Sequence, residues 1–163
     1  QSTLPLSNRL IPCFLSGLKS SRLAGLKPQI LERAREAKDA KLFLTAARID
    51  KADALAITKE AFEVACSEEI AELYCINLGV AQELSLTHPD FIKARSLYPE
   101  NCYLEQLNVV LMREKGEPIQ QALVKLIIAE YRHFSNQGLL PRPGAKPLRG
   151  FFKLLRAEID KQK

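Results

Sequence analysis

The sequence predicts an all-α fold of six or seven helices, built as an antiparallel helical bundle or a short array of helical hairpins. Three observations carry that expectation. Helix formers (Leu, Ala, Lys, Glu) are plentiful and Trp is absent. Gly and Pro collect mostly near the two ends, so the middle is largely clear of residues that interrupt helices. Apolar residues recur every three or four positions, and the periodic runs are bounded by cap residues, Pro or Gly. At 163 residues the chain is one domain long. A domain of that size buries roughly 70% of its unfolded surface and needs no staples.

Residues 1–27 read as a loosely ordered basic segment. Leu4, Leu6, Leu10 and Phe14 allow a short helix there, and "SGLKSSRLAGLKP" follows as a Ser-, Gly- and Lys-rich connector. A single helical domain is expected over 28–163. Pro28 suits a first helical turn, where its missing N–H costs nothing. The helix it opens runs to about Ile49, with Ile30, Ala34, Ala37, Leu44 and Ala47 in period.

Asp50 or Asp53 caps the next helix, to about Ala65, with Leu55, Thr58, Ala61, Phe62 and Ala65 on one side. Ser67 caps a third, from Glu68 to about Leu84. That helix is apolar nearly all round, which predicts the centre of the core. Pro89 opens a short helix and Pro99 closes it. Asn101 caps a helix to about Lys115 with Leu104, Leu107, Val110 and Leu111 inward, and Gly116 breaks it. Pro118 starts the next, with Ile119, Leu123, Leu126, Ile127, Tyr131 and Phe134 inward, ending at Gly138. A Pro-rich linker over 139–147 precedes a terminal helix from about Leu148 to Asp160.

The stretch "YCINLGVAQELSLTHPDFIKARSLYPEN" places Asn-Leu-Gly in a first helix, Ala94 in a second and Pro99 after it. In that rhythm it resembles a tetratricopeptide hairpin, with a longer loop before Asp90 and a shorter second helix than that pattern has. The resemblance implies hairpin packing.

Charge is uneven along the chain. Residues 1–50 hold nine Lys/Arg against four Asp/Glu, residues 51–100 hold four against nine, and residues 101–163 hold eleven against six. Such blocks bear on partners more than on fold. In the terminal helix Leu148, Phe151, Phe152, Leu155 and Ile159 form one stripe, and Arg149, Lys153 and Arg156 lie opposite. The pattern fits a final core helix docked by its aromatics with its cations in water; read as a binding surface, its candidate lipid- or partner-binding residues are Arg142, Lys146, Arg149, Phe151, Phe152, Lys153 and Arg156. With the aromatics opposite the cations rather than among them, the pattern suits a membrane interface better than nucleic-acid stacking.

No catalytic constellation emerges. There is no phosphate loop, dinucleotide fingerprint, HExxH or Ca²⁺ loop. Cys13, Cys66, Cys75 and Cys102 form no CxxC pair, and with only His88 and His133 they predict no zinc site. Cys66, Cys75 and Cys102 fall in helical patterns, which predicts buried, reduced thiols in a cytoplasmic protein. A Cys102–His133 nucleophilic pair needs contact in space. Glu60 with Glu63, and Glu68 with Glu72, read as solvated faces rather than acid–base dyads. No apolar stretch approaches the length of a membrane span, "LIPCFLSGL" makes a poor signal peptide, and the first residue, Gln1, predicts a processed or excised chain.

The expectation is a non-enzymatic helical protein-interaction module, a domain of a larger intracellular protein, with no cofactor or metal. Its partner is another protein, contacted by the acidic surface around Glu60–Glu72 and by the basic terminal helix. The alternative is a peripheral membrane domain binding anionic lipid, phosphoinositide or phosphatidylserine, through that helix and the connector residues Lys19, Arg22 and Lys27.

Overall fold

The computed structural model describes residues 4–137 together with Ala157 and Asp160. Among the described residues the chain forms eight α-helices and no strand. They fall into two compact units that divide between Glu83 and Leu84.

The first unit holds α1 (Ile11–Ser16), α2 (Ser20–Ala37), α3 (Ala40–Ile49), α4 (Ala54–Val64) and α5 (Glu68–Val80). Helix α2 begins eight residues before Pro28, within the stretch expected as a connector. Pro28 sits inside it and is exposed, while Leu26, Ile30 and Ala34 are buried. Packing against α3 offsets the lost backbone hydrogen bond. The single helix expected from Pro28 to Ile49 is two helices. Lys38 adopts the left-handed conformation (φ 48°, ψ 48°) and ends α2. Asp39 then caps α3, its carboxylate accepting from the N–H groups of Lys41 (2.9 Å) and Leu42 (3.3 Å).

The centre of this unit is α3, not α5. Helix α3 touches α1, α2, α4 and α5. Leu42, Phe43, Leu44, Ala46 and Ala47 bury most of its circumference, and the two alanines let neighbours approach closely. Helices α2 and α4 flank it in parallel, as two ion pairs in step show. Lys27 meets Asp53 near the start of α4, and Arg35 meets Glu60 two turns on. Helix α5 packs on α4 through Ile70, Ala71, Tyr74, Cys75 and Leu78. The rings of Phe62 and Tyr74 lie 5.3 Å apart. Asn77 donates to the buried Thr58 hydroxyl (3.3 Å), which donates to the Ala54 carbonyl (2.8 Å). Ser67 caps α5 as expected, accepting from the Ile70 N–H (3.2 Å). The helix ends at Val80, short of Leu84, because Gln82 turns left-handed (φ 60°) and the Glu83 N–H bonds back to the Leu78 carbonyl (2.9 Å).

The second unit holds α6 (Pro89–Leu97), α7 (Cys102–Glu114) and α8 (Gln120–Asn136). His88 caps α6 by accepting from the Asp90 N–H (3.1 Å), and Asn101 caps α7 by accepting from the Leu104 N–H (3.0 Å). Gly116 (φ 74°) turns the chain between α7 and α8. These two form an antiparallel hairpin: Tyr103 at the start of α7 meets His133 at the end of α8, ring centroids 5.8 Å apart. Val109, Ile119, Leu123 and Leu126 form its core, with Met112, Ala122 and Ile127 at the margin.

Helix α8 turns the expected Leu123 and Leu126 inward, with Ile119 just before it, but not Tyr131, and α7 is rotated from the expected face. Helix α7 buries Leu104, Glu105, Asn108 and Val109, while Val110 is exposed and Leu107 and Leu111 are half-buried. Helix α8 buries Ala129 and Glu130 and exposes Tyr131. The tetratricopeptide-like stretch is divided, since α5 closes the first unit and α6 opens the second.

Candidate functional site

The residues that the sequence marks for binding, Arg142, Lys146, Arg149, Phe151, Phe152, Lys153 and Arg156, lie outside the described residues, as does the linker 139–147. Ala157 and Asp160 are helical and exposed. Of the connector cations, Lys19 and Arg22 are exposed. Lys27 is not: it is buried and paired with Asp53, so it ties α2 to α4.

Helices α8 and α5 each offer a stripe of apolar side chains on an outward face. On α8, Val124, Ile128 and Tyr131 stand at i, i+4 and i+7, and they are 53%, 47% and 55% exposed. At helical spacing this stripe lies opposite the buried Leu123, Leu126 and Glu130. The helix is thus apolar on two sides, and the hairpin core occupies one. Each of its flanking cations has an acidic neighbour within the unit. Lys125 reaches Glu105 (3.3 Å), and Arg132 pairs with Glu100.

On α5 the corresponding face is smaller and differs in charge. Leu73, Ile76 and Val80 stand at i, i+3 and i+7; Val80 is 80% exposed, Ile76 41%, and Leu73 is half-buried. Glu69 and Glu83 are exposed beside them, and Glu72 is half-buried. From Glu60 to Ile92 the sequence has seven acidic residues and no Lys or Arg. Glu69 in the first turn suits the helix dipole, whereas Glu83 follows the C-terminus, where the dipole disfavours an anion. The expected acidic surface is therefore narrower than Glu60–Glu72, because Glu60 is held by Arg35.

The most concentrated polar chemistry is buried and structural. The Glu105 carboxylate is fully buried and meets cations from the two other helices of its unit. Arg95 of α6 donates to Oε1 from Nε (3.4 Å) and Nη2 (3.3 Å), and Lys125 of α8 reaches the same oxygen (3.3 Å). Arg95 also lies over the Phe91 ring at 5.8 Å. A salt-bridged triad across three helices fixes their rotation about one another. Sequence reasoning missed it because Glu105 carries no local mark of burial. Its partners are 10 and 20 positions away.

Glu130 is also buried, with Oε2 unpartnered among the described residues. Burial pushes its carboxyl up to about 7. The bidentate contact with Arg35 holds the Glu60 carboxyl below its ordinary range.

The cysteines stand as thiols. Cys75 and Cys102 are buried as expected, but Cys66 is exposed in the α4–α5 connection, and Cys13 is exposed as well. It is Tyr103, not Cys102, whose ring meets His133. Among the described residues no cluster of His, Cys, Asp and Glu could hold a metal ion, and no helix is long and apolar enough to cross a membrane. No family model, no characterised protein and no solved structure matches this chain.

Proposed function

We propose that the chain is a non-enzymatic helical protein-interaction module that seats an amphipathic helix of a partner protein on an outward helix face. The observation that supports this is the Val124–Ile128–Tyr131 stripe of α8, which has the i, i+4, i+7 spacing through which helices recognise one another. Its flanking cations Lys125 and Arg132 already pair with Glu105 and Glu100, so the apolar stripe is what the face offers a partner. The buried ion pairs serve packing: Glu105 joins three helices and Lys27 joins two. We place the module in the cytoplasm, where the exposed Cys13 and Cys66 thiols stay reduced. Lipid binding through Arg142–Arg156 rests on residues outside the described ones.

A photo-crosslinking residue at Ile128, introduced in cells, tests the reading. The expected result is one discrete protein adduct, lost on Val124→Glu while the thermal transition is kept, and a purified partner that binds the full chain with a measurable Kd. Adducts that persist in Val124→Glu would overturn it. Flotation of the full chain with phosphatidylserine vesicles but not neutral ones, with no adduct formed, would replace it with the lipid reading.

A further inference from the structure

We infer that the outer face of α5 is a second docking surface, and that its occupant is a cationic amphipathic helix of a partner protein. The inference rests on the interaction reading but concerns a different face, carried by different residues.

The face has an apolar ridge, Leu73, Ile76 and Val80, pointing away from the side that packs on α4. A ridge of three aliphatic side chains in two turns offers the contact that a helix in a groove uses. The charge around the ridge then specifies the occupant. Glu69 lies on the same side of the helix, one turn before Leu73, and is exposed. At the other end Glu83, exposed just past the C-terminus of α5, adds a further negative charge. No Lys or Arg occurs between Lys59 and Lys93 to offset these groups from within the segment. Glu69 and Glu83 form no ion pair among the described residues. The contrast with α8 is direct, since the charges beside its stripe are paired internally. An apolar ridge with an acidic rim selects a helix whose Lys or Arg residues border its apolar stripe. Opposite potentials steer such a helix in and reject an acidic one.

The test uses the full chain and three synthetic helical peptides: Leu/Lys amphipathic, Leu/Glu amphipathic, and a Lys-rich peptide with Ser replacing the Leu stripe. Backbone amide NMR shifts locate the binding, and a titration measures it at low and physiological salt. The Leu/Lys peptide is expected to perturb Glu69–Glu83 and to weaken as salt rises. Glu69→Lys with Glu83→Lys is expected to weaken it about tenfold. Val80→Ser, at an exposed position, is expected to weaken it several-fold with no change in the thermal transition. Equal binding of the Leu/Glu peptide, or full binding of the Ser-stripe peptide, would overturn the assignment. Shifts confined to Val124–Tyr131 would also overturn it while leaving the interaction reading at α8 intact. No shift anywhere would count against this face alone, because the α8 crosslinking experiment does not depend on these peptides.

Discussion

Arg35 on α2 and Glu60 on α4, 25 positions apart in sequence, meet through two parallel hydrogen bonds of 2.6 Å (Nε to Oε1) and 3.0 Å (Nη2 to Oε2). The contact fixes the parallel register of two helices that are separated by α3. Its energy is modest because the Arg35 side chain is about half exposed. Arg35→Lys keeps the charge but loses the fork, and is expected to cost roughly 0.5 kcal/mol, with Glu60→Gln costing up to about 1 kcal/mol. The pair's contribution is present at neutral pH and lost as pH falls through the lowered folded value of Glu60. A double-mutant cycle from urea midpoints at pH 7 and pH 3 measures both, and an unchanged coupling at pH 3 would contradict the assignment.

Removing the cations around Glu105 should be unequal in effect. Arg95 is mostly buried and donates twice, whereas the Lys125 side chain is 53% exposed. Arg95→Met leaves a fully buried carboxylate facing one mobile ammonium, and is expected to cost roughly 2–4 kcal/mol. Lys125→Met should cost less than about 1 kcal/mol. Chemical denaturation of both variants, followed by helical circular dichroism, gives the comparison. Equal costs would mean that Lys125 holds the carboxylate as firmly as Arg95 does, against this expectation.

Glu130 makes stability fall as pH rises. Its carboxyl is protonated in the fold up to about pH 7, while in the unfolded chain it ionises near 4.5. The stabilisation is complete below 4.5 and is lost progressively up to about 7, a change on the order of 2 kcal/mol. Glu130→Gln is expected to flatten this slope and to be the more stable protein at pH 8. Urea midpoints between pH 4.5 and 8 test it, and parallel pH profiles for the two proteins would refute it.

Lys38 holds a left-handed conformation that costs an L-residue roughly 1 kcal/mol. It is exposed. Lys38→Gly is therefore expected to stabilise the first unit by roughly 0.5 kcal/mol, after the entropy that glycine adds to the unfolded chain. Thermal unfolding measures it. A drop in Tm would mean that the side chain contributes more than the strain removes.

The helix boundaries that were legible in the sequence are those set locally. Ser67 and Asn101 cap because each supplies one oxygen to an N–H three positions on, and Gly116 turns because only it takes φ 74° without strain. The all-α class follows from the same short-range signals. Where a boundary rests on a distant contact, the local signal misleads. Pro28 reads as a helix start, yet the helix continues through it, because burial of Leu26 and Ile30 favours continuation.

The sequence by itself determined that this chain is helical, where most of its helices break, and that its middle third is acidic. It also marked many of the buried positions, Ile30, Ala34, Ala61, Phe62, Leu123 and Leu126 among them. Only the tertiary structure decided which side faces in where a helix is apolar on more than one. It made α3 rather than α5 the centre, drew Glu105 inward to Arg95 and Lys125, and left Val80, Val124, Ile128 and Tyr131 outward. Helical period fixes which residues share a face, because 3.6 residues complete a turn whatever surrounds them. When a helix is apolar on two sides, the choice between them belongs to partners far away in sequence.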